Sequence, residues 1–370
     1  MVASPEAGLM EQAAVETSGL QGPYADPIEL ASRVALLVQT GRRESTYKLA
    51  TLMSLIDICV ESGAQGDQVL DVRVEEIAHR LVGYYWPQVR PYMSYGRLRQ
   101  SKQGTSIADR VAATKTTLLA AGLRTPEAAR EASHPAYVRL ISSLTMTVAQ
   151  QPLTHLQTVA SRSGLIADDF LFDASRFYKK MTRSELSQAD PITLKPFVAS
   201  GLSRTARLLK DVLRVRWIDD VVRLNRETLD DDDLAGFMFE APRTSLQALQ
   251  RPLLELQSGR CPYCGLTIRD VQIDHVLPWS VVPINGIANL VAACSKCNGN
   301  KSDTVPVLDI VEAALARDYL EQVAHEVRLP VLHARTRAAA QGVFSTLPRG
   351  TPLWAGRDSY VAFAPHLSQP

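Results

Sequence analysis

The sequence lacks an excess of charge of either sign, since 40 Lys and Arg balance 39 Asp and Glu and the formal net charge is +1. The net charge therefore does not predict a general affinity for nucleic acid, and any basic surface must be local. No Lys or Arg precedes Arg33, so the basic start of a secretory signal is missing. The apolar run LATLMSLIDICV is too short to span a bilayer and contains Asp57. We therefore expect a cytoplasmic protein.

Cysteine is also scarce. The chain has five cysteines, and four of them form two Cys-x-x-Cys pairs. In a chain without a secretory signal, such pairs are typical of a metal site rather than of a disulfide framework. The fifth, Cys59, lies in the apolar run and is expected to be an inert buried thiol.

The composition is that of an ordinary globular protein, 46% hydrophobic and 21% charged, over 370 residues. Helical periodicity dominates, and short strands are indicated near residues 266–293. We therefore predict a mainly α fold with a small α+β domain near the C-terminus. The predicted organisation is a flexible N-terminal arm (1–28), a helical N-terminal domain (29–130), a helical middle region (131–250), the small α+β domain (251–306), and a C-terminal helix with an irregular tail (307–370).

Local signals place several elements of the helical part. The segment STYKLATLMSLIDICVES has Ser45 or Thr46 as its cap and Gly63 as its stop. VLDV predicts a short strand, and Pro87 ends the helix that follows it. A helix, a strand and a helix in this order are compatible with a winged-helix module but do not require one. The acidic run at 230–233 indicates a solvated loop or a helix start.

The two cysteine pairs are Cys261 with Cys264 and Cys294 with Cys297. Zinc prefers tetrahedral thiolate coordination, and Cys-x-x-Cys brings two sulfurs of one tight turn to the same ion. Two such turns close a four-thiolate site that has no free position for catalysis. The pattern predicts a structural Zn²⁺ that stabilises a small fold.

The residues between the pairs predict a compact unit. VQIDHV alternates as a strand does, PING contains the Asn285-Gly286 dipeptide that suits a tight turn, and NLVAA indicates a returning strand. CSKCNGNKSD then opens a helix. The predicted order is strand, loop, strand, helix, with zinc at one edge.

This stretch resembles the HNH endonuclease family, which has the ββα-metal fold. The resemblance rests on Asp274-His275, then Asn289-Leu290, then Cys-x-x-Cys-Asn-x-x-Lys at 294–301, and it covers about residues 255–306. Two positions depart from the common pattern. The last functional position is Asn298 rather than histidine, a variant that the family uses. The loop has Asn-Gly where many members have Gly-Gly.

The resemblance and the chemistry together imply roles for these residues. Phosphodiester hydrolysis needs an activated water and a cation that neutralises charge on the phosphate. His275 is the expected general base, and Asp274 and Asn298 offer oxygen ligands for a catalytic Mg²⁺ or Mn²⁺. By resemblance, Asn289 bonds the loop backbone and holds the His275 strand. Lys301 is expected to contact a neighbouring phosphate.

One geometric difficulty follows from this assignment. Adjacent residues of a regular strand point to opposite faces, so Asp274 and His275 cannot both face one metal on such a strand. Pro278 indicates that the chain bends soon after them.

Two further stretches are candidates for DNA contact. YYWPQVRPYMSYGRLRQSK interleaves aromatic residues with basic ones that include Arg90, Arg97 and Arg99. Its aromatics would stack on bases, or they are core residues and the arginines alone are exposed. SRTARLLKDVLRVRWIDDVVRLNR would lie along a phosphate backbone, or it is a solvated amphipathic face. Its basic residues are Arg204, Arg207, Lys210, Arg214, Arg216, Arg223 and Arg226.

The sequence as a whole therefore predicts a metal-dependent HNH endonuclease that acts on DNA, with RNA a less favoured substrate. Family analogy favours a setting in restriction or phage defence. The helical region would recognise the target or regulate cleavage. DNA is the expected partner, and a second copy of the chain or associated defence proteins are further options. The alternative is a non-catalytic, zinc-dependent DNA-binding or regulatory protein.

Overall fold

The computed structural model describes residues 25–40, 44–93, 95–102, 106–161, 164–225, 234–239 and 246–365. Most of the predicted N-terminal arm and the acidic run at 230–233 lie outside these residues. None of the helices in the described ranges is long and apolar enough to cross a membrane.

The fold is mainly helical, as predicted. We call the described residues from 25 to 239 the helical body. Its α-helices are α1 (Pro27–Thr40), α2 (Tyr47–Ser62), α3 (Val74–Gln88), α4 (Ile107–Ala120), α5 (Pro126–Glu131), α6 (Pro135–Val148), α7 (Arg183–Ala189), α8 (Val198–Arg204), α9 (Ala206–Leu224) and α10 (Leu234–Phe239). Its strands are β1 (Leu70–Val72), β2 (Thr158–Ser161), β3 (Gly164–Ala167) and β4 (Ile192–Leu194).

The ends of the first long helices follow their local signals. Helix α2 has Thr46 as its N-cap, and Gly63 closes it in the left-handed conformation with φ +65°. Glycine adopts this conformation without the steric cost that other residues meet, so it ends the helix as predicted. At α4, Ser106 and Asp109 form a capping box. Pro87 lies inside α3, which ends one residue later.

Strand β1 is formed by the predicted segment but has an unexpected partner. It pairs antiparallel with β4, so that Asp71 lies opposite Thr193. A strand that pairs across more than 100 residues is not the hairpin of a winged helix. The β1–β4 pair therefore joins distant parts of the helical body.

One hydrophobic core runs through the helical body. Buried residues from Leu30 to Met238 form a single cluster, and α3 packs on both α4 and α6. The boundary predicted at residue 130 therefore falls inside a continuous core. Described residues of both flanking regions, 29–130 and 131–250, contribute to this cluster, while Leu246 and Leu249 belong to the core of the C-terminal body.

The described residues from 246 to 365 form what we call the C-terminal body. Its elements are α11 (Gln250–Leu256), β5 (Val271–His275), β6 (Leu290–Cys294), α12 (Ser295–Lys301), α13 (Leu308–Leu315), α14 (Leu320–Val327), α15 (His333–Thr346), β7 (Pro352–Trp354) and β8 (Tyr360–Ala362). A second hydrophobic cluster extends from Leu246 to Trp354 and also includes Val60 of α2. The α+β unit and the segment after it therefore share one core.

The segment after residue 306 differs from its prediction in two ways. The single C-terminal helix predicted after residue 306 is divided into α13 and α14, and the irregular tail contains α15 and a hairpin. Arg317 explains the division. Its side chain turns inward and donates to the carbonyls of Ala314 at 2.6 Å and Leu290 at 2.8 Å. The second bond ties the α13–α14 connection to the first residue of β6.

The two bodies meet where α15 packs on α2. Gly342 in α15 approaches the backbone of Val60 so closely that a Cβ there would lie 1.6 Å from the Val60 carbonyl oxygen. Beside this contact, Arg335 donates to Glu61 at 3.0 and 3.1 Å. Close packing of two helix backbones therefore joins the bodies.

We expect Gly342→Ala to lower the free energy of unfolding by about 3 kcal/mol, because the added methyl meets backbone that cannot move aside alone. Urea denaturation would measure the change. The matched control is Gly83→Ala in α3, where a Cβ meets nothing within 4 Å. That variant should be neutral or slightly more stable, since alanine is the better helix former. Equal stability of the Gly342 variant and the wild type would contradict the α2–α15 contact.

Candidate functional site

Four cysteines converge at one edge of the C-terminal body. Cys261 and Cys264 lie on a tight turn, in which the Gly265 amide donates to the Cys261 carbonyl at 2.8 Å. Cys294 is the last residue of β6, and Cys297 lies in the first turn of α12. The antiparallel pairing of β5 with β6 places Val271 opposite Cys294.

The cysteine cluster fits a tetrahedral metal ion. All four Sγ atoms lie within 4.8 Å of one another, and those of Cys264 and Cys294 are 3.9 Å apart. Zinc–sulfur bonds of ~2.3 Å in a tetrahedron place the sulfurs roughly 3.8 Å apart. The donor set and spacing therefore suit Zn²⁺. Four thiolates would fill its coordination, so a metal held here has a structural role.

The order of elements beside the cluster is strand, loop, strand, helix. Strand β5 pairs with β6, with Asp274 opposite Val291 and His275 opposite Leu290. Helix α12 packs on both strands. Asp274 and His275 are therefore the last two residues of a strand, and α12 carries Asn298 and Lys301 beside them.

The Asp274 carboxylate is buried and has two protein partners. The Tyr263 hydroxyl donates to Oδ2 at 2.5 Å, and the Lys301 ammonium lies 3.1 Å from Oδ1. Burial raises the pKa of Asp274, while Lys301 and the Tyr263 hydrogen bond act to lower it. Each oxygen has a further lone pair that a cation can take. Because Tyr263 lies between the first two cysteines, the metal frame directly supports this carboxylate.

The His275 imidazole is held by the loop between β5 and β6. Its Nε2 lies 2.9 Å from the Asn285 Oδ1 oxygen, and the Trp279 ring centre is 5.2 Å away. With an amide oxygen as partner, Nε2 carries the proton and Nδ1 is the basic atom. Burial lowers the pKa of His275 to about 4, and the Lys301 charge contributes to this. A neutral imidazole is the form that can accept a proton.

Asn289 holds the same loop from inside. Its Oδ1 accepts from the Leu277 amide at 2.8 Å, and its Nδ2 donates to the carbonyls of Leu277 at 3.1 Å and Ile284 at 3.2 Å. Gly286 is not a left-handed turn residue, because its φ is −104°. Glycine is needed there for space, since a Cβ would lie 2.5 Å from that of Leu332.

Asn298 lies on α12, which packs on β5. Its Nδ2 donates to the Gln272 Oε1 atom at 2.6 Å. Because the nitrogen of the amide is engaged in this way, its oxygen is the atom that suits a hard cation such as Mg²⁺. Asp274 and Asn298 together can therefore offer a carboxylate and an amide oxygen.

A cleft of about 870 Å³ lies between the two bodies. Among the residues that line it are Asp274, His275, Trp279, Asn298 and Arg214. The neighbours Asp274 and His275 both line the cleft, and the chain bends directly after β5 ends at His275. Asn289 holds the bend through Leu277.

Lys301 does not have the surroundings expected of a phosphate contact. It is 0% exposed, and its ammonium donates to the Asp274 carboxylate and, at 2.7 Å, to the His275 carbonyl. The side chain instead neutralises the buried Asp274. It is a support for the site rather than part of an open basic surface.

The first candidate DNA-contacting stretch is largely internal. Tyr85, Trp86 and Tyr92 are buried in the core of the helical body, as the alternative interpretation required. Arg90 donates to the Phe237 carbonyl at 3.1 Å. The two exposed arginines are Arg97, which pairs with Asp109, and Arg99.

The second stretch is divided between α8 and α9 at Thr205. Lys210 is buried, pairs with Asp57 and donates to the Val281 carbonyl at 2.7 Å. Arg214 donates to the Ser280 carbonyl at 2.7 Å and lines the cleft. Arg204 and Arg207 are exposed, Arg216 and Arg223 pair with acidic residues of the same helix, and Arg226 lies outside the described residues.

Sequence reasoning did not identify Tyr263, Gln272, Trp279 or Asn285 as parts of the site. Each contacts a predicted site residue. Tyr263 offered the clearest signal, since it lies inside the first cysteine pair. Gln272 offered another, because it lies two residues before Asp274 on a strand and therefore shares its face.

Comparisons with known proteins divide the chain in the same way as the two cores do. Residues 29–238 match the family model described as Domain of unknown function (DUF8808), and residues 261–304 match the one described as HNH endonuclease. A CRISPR-associated endonuclease Cas9 from Actinomyces naeslundii is 46% identical over 54 residues, which are 14% of this chain and 5% of that protein. The chain thus spans a small part of that relative. No solved structure gives a significant match.

The first of these models covers more than half of the chain and coincides with the helical body. The second covers the four cysteines and the residues of the cleft from Asp270 to Asp303. The chain therefore belongs to the DUF8808 family and carries an HNH endonuclease domain at residues 261–304.

Proposed function

We propose that this chain is a metal-dependent endonuclease that hydrolyses phosphodiester bonds of DNA. The observation that carries the proposal is the convergence of Asp274, His275 and Asn298 on one cleft. They supply a neutral base and two hard oxygen ligands, which are the groups that hydrolysis of a phosphodiester requires. The four-cysteine cluster, with Zn²⁺ bound, would stabilise the frame.

In the proposed reaction, His275 acts as the general base. Its Nδ1 takes a proton from the attacking water, while the hydrogen bond from Nε2 to Asn285 fixes the ring. Asp274 and Asn298 would hold Mg²⁺ or Mn²⁺, which supplies positive charge opposite the phosphate and the leaving oxygen. Tyr263 and Lys301 keep the Asp274 carboxylate in place. Asn289 fixes the loop that carries Asn285.

The helical body would supply the contacts to the DNA strand. Arg214 lies in the cleft wall, and its side chain is one-fifth exposed. Arg204 and Arg207 are exposed on α8 and α9, which lead toward it. Phosphate contacts of this kind position a nucleic acid without reading its sequence. The Cas9 relative is CRISPR-associated, which supports a setting in phage defence or restriction.

The test is cleavage of supercoiled plasmid by the purified chain. We expect nicked or linear DNA with Mg²⁺ or Mn²⁺ and intact plasmid with EDTA, because the oxygen ligands hold a cation that the chelator removes. Adding back an excess of Mg²⁺ should restore cleavage. Zinc content must be measured after the EDTA step, so that loss of the structural metal is not mistaken for loss of the catalytic one.

Cleavage that persists in EDTA would contradict the proposal. Retained DNA binding without cleavage, in any divalent metal, would favour the non-catalytic DNA-binding protein instead. A single-stranded RNA of matched length belongs in the same experiment. Faster hydrolysis of RNA than of DNA would overturn the assignment of the substrate.

A further inference from the structure

The loop between β5 and β6 is held from the helical body as well as from within. We call its residues, 276–289, the catalytic loop. Two side chains of α9 donate to its main chain: Lys210 to the Val281 carbonyl at 2.7 Å, and Arg214 to the Ser280 carbonyl at 2.7 Å. Because both acceptors are main-chain atoms, these bonds fix the path of the loop and do not depend on its side chains.

The preceding residue of the loop makes a bond in the opposite direction. The Trp279 indole N–H donates to the carbonyl of Phe239, the last residue of α10, at 3.0 Å. The Trp279 ring centre lies 5.2 Å from that of His275, and the Asn285 Oδ1 atom of the same loop lies 2.9 Å from the His275 Nε2 atom. The loop that the helical body holds therefore carries two groups that contact the imidazole.

Lys210 connects this loop to the interior of the helical body. Its side chain is buried and pairs with Asp57 of α2, whose carboxylate also accepts from the Tyr84 hydroxyl at 2.6 Å. Helix α2 packs on α9, so the ammonium has a rigid support. Apolar residues of similar volume often stabilise a fold as well as a buried ion pair does. Stability alone therefore does not account for a lysine at this position.

We propose that Lys210 is a positioning residue for phosphodiester cleavage, through which the helical body holds the catalytic loop in place around His275. The catalytic part of this inference rests on the proposed nuclease function. Lys210 is 1% exposed, so it acts through the loop and not by contact with DNA. It belongs to the segment that matches DUF8808, whereas the loop belongs to the segment that matches the HNH endonuclease model. The helical body is thus part of what places the base.

The test variant combines Lys210→Met with Asp57→Asn. Methionine keeps much of the apolar stem of lysine, and the second change avoids leaving a buried charge unpaired. The loop then loses its bond at the Val281 carbonyl. Lys115→Met is the matched control. Lys115 on α4 is half-buried, and its ammonium donates at the same distance, 2.7 Å, to the Trp86 carbonyl inside the helical body.

Trp279→Phe is the second variant, and it leaves the buried ion pair intact. It removes the N–H that bonds the Phe239 carbonyl and keeps an aromatic ring beside His275. A result that both variants share therefore comes from the hold on the loop and not from disturbance of the core around Lys210.

Hydrogen exchange of the zinc-loaded full chain, without DNA, measures the hold on the loop and needs no cleavage. The amides of Val281 and Val282 bond the Pro278 carbonyl at 2.9 and 3.0 Å, so they report opening of the loop. We expect them to exchange about tenfold faster or more in both variants, since each variant loses a bond that fixes the loop. Strand β5 should exchange as in the wild type, and Lys115→Met should leave the loop unchanged.

Single-turnover cleavage separates positioning from binding. At saturating DNA we expect the rate to fall about tenfold or more in both variants, because a displaced base reacts slowly. In the double variant, the DNA concentration that gives half of the maximal rate should stay unchanged, since Lys210 does not face the DNA. Lys115→Met should match the wild type in both quantities.

Loop exchange at the wild-type rate in both folded variants would overturn the inference, whether or not the chain is a nuclease. Faster loop exchange with unchanged cleavage by an active wild type would also overturn it, as would an equal loss in Lys115→Met. Absence of cleavage by the wild type on every nucleic acid would instead refute the proposed function. The exchange rates alone would then decide whether Lys210 holds the loop.

Discussion

Replacement of His275 by alanine should abolish plasmid cleavage and leave DNA binding intact. The imidazole is the group that takes a proton from the attacking water, and loss of a general base lowers rates by about 10²- to 10⁴-fold. The imidazole is neutral because burial lowers its pKa to about 4, so its loss removes no positive charge from the cleft and affinity for DNA should change little. Single-turnover cleavage and a binding titration in Ca²⁺ would separate the two quantities.

The same variant permits a sharper test. Because His275 lines an open cleft, its removal leaves a space into which free imidazole can diffuse. Partial recovery of cleavage with added imidazole would assign the loss to the missing base rather than to a disturbed fold. His325→Ala, on the exposed face of α14, is the matched control and should cut as the wild type does. Normal cleavage by the His275 variant would contradict the assignment of His275 as the general base.

The small α+β unit was predictable because its signals are local. Cysteine spacing gives the turn geometry of a metal frame, and the period-2 pattern of VQIDHV and NLVAA gives two strands whose pairing the structure bears out. The C-terminal end of α2 was predictable for the same reason, since Gly63 closes it in the left-handed conformation, whereas the Thr46 side chain makes no capping hydrogen bond.

What the sequence could not show are contacts between distant segments. Lys301 has the pattern of an exposed phosphate ligand, yet α12 packs on β5 and turns its ammonium toward Asp274. Lys210 belongs to a basic run but is buried against Asp57, which is 153 positions earlier in the chain. A basic residue on a helix has the same local signature whether its partner is a phosphate or a buried carboxylate.

The aromatic stretch before Arg97 illustrates the same limit. Aromatic side chains suit both stacking on bases and packing in a core. The composition of the stretch therefore does not distinguish the two roles. Tertiary packing decides, and the Tyr85 and Trp217 rings meet in the core at 5.4 Å.

Loss of one cysteine of the metal frame should have an effect as large as the loss of His275, although no cysteine is a candidate base. We expect Cys264→Ser to lose zinc, because a hydroxyl is a poor ligand for this ion and structural sites depend on all four donors. Cys264 is half-buried, so the serine hydroxyl itself adds little strain. Without the metal, the turn from Cys261 to Cys264 is no longer fixed to β6 and α12.

The consequence should reach the catalytic cleft through Tyr263. Its hydroxyl bonds Asp274 at 2.5 Å, and its ring packs on Trp354 with centres 4.9 Å apart. Release of the turn therefore frees the carboxylate and opens the core of the C-terminal body. We expect zinc content to fall from about one per chain to a small fraction, Tm to fall by about 5 °C or more, and cleavage to be lost. Cys59→Ala is the control, because Cys59 is buried outside the cluster and its removal should leave zinc content unchanged. A Cys264 variant that keeps its full zinc content and its cleavage would show that the four sulfurs do not form one site.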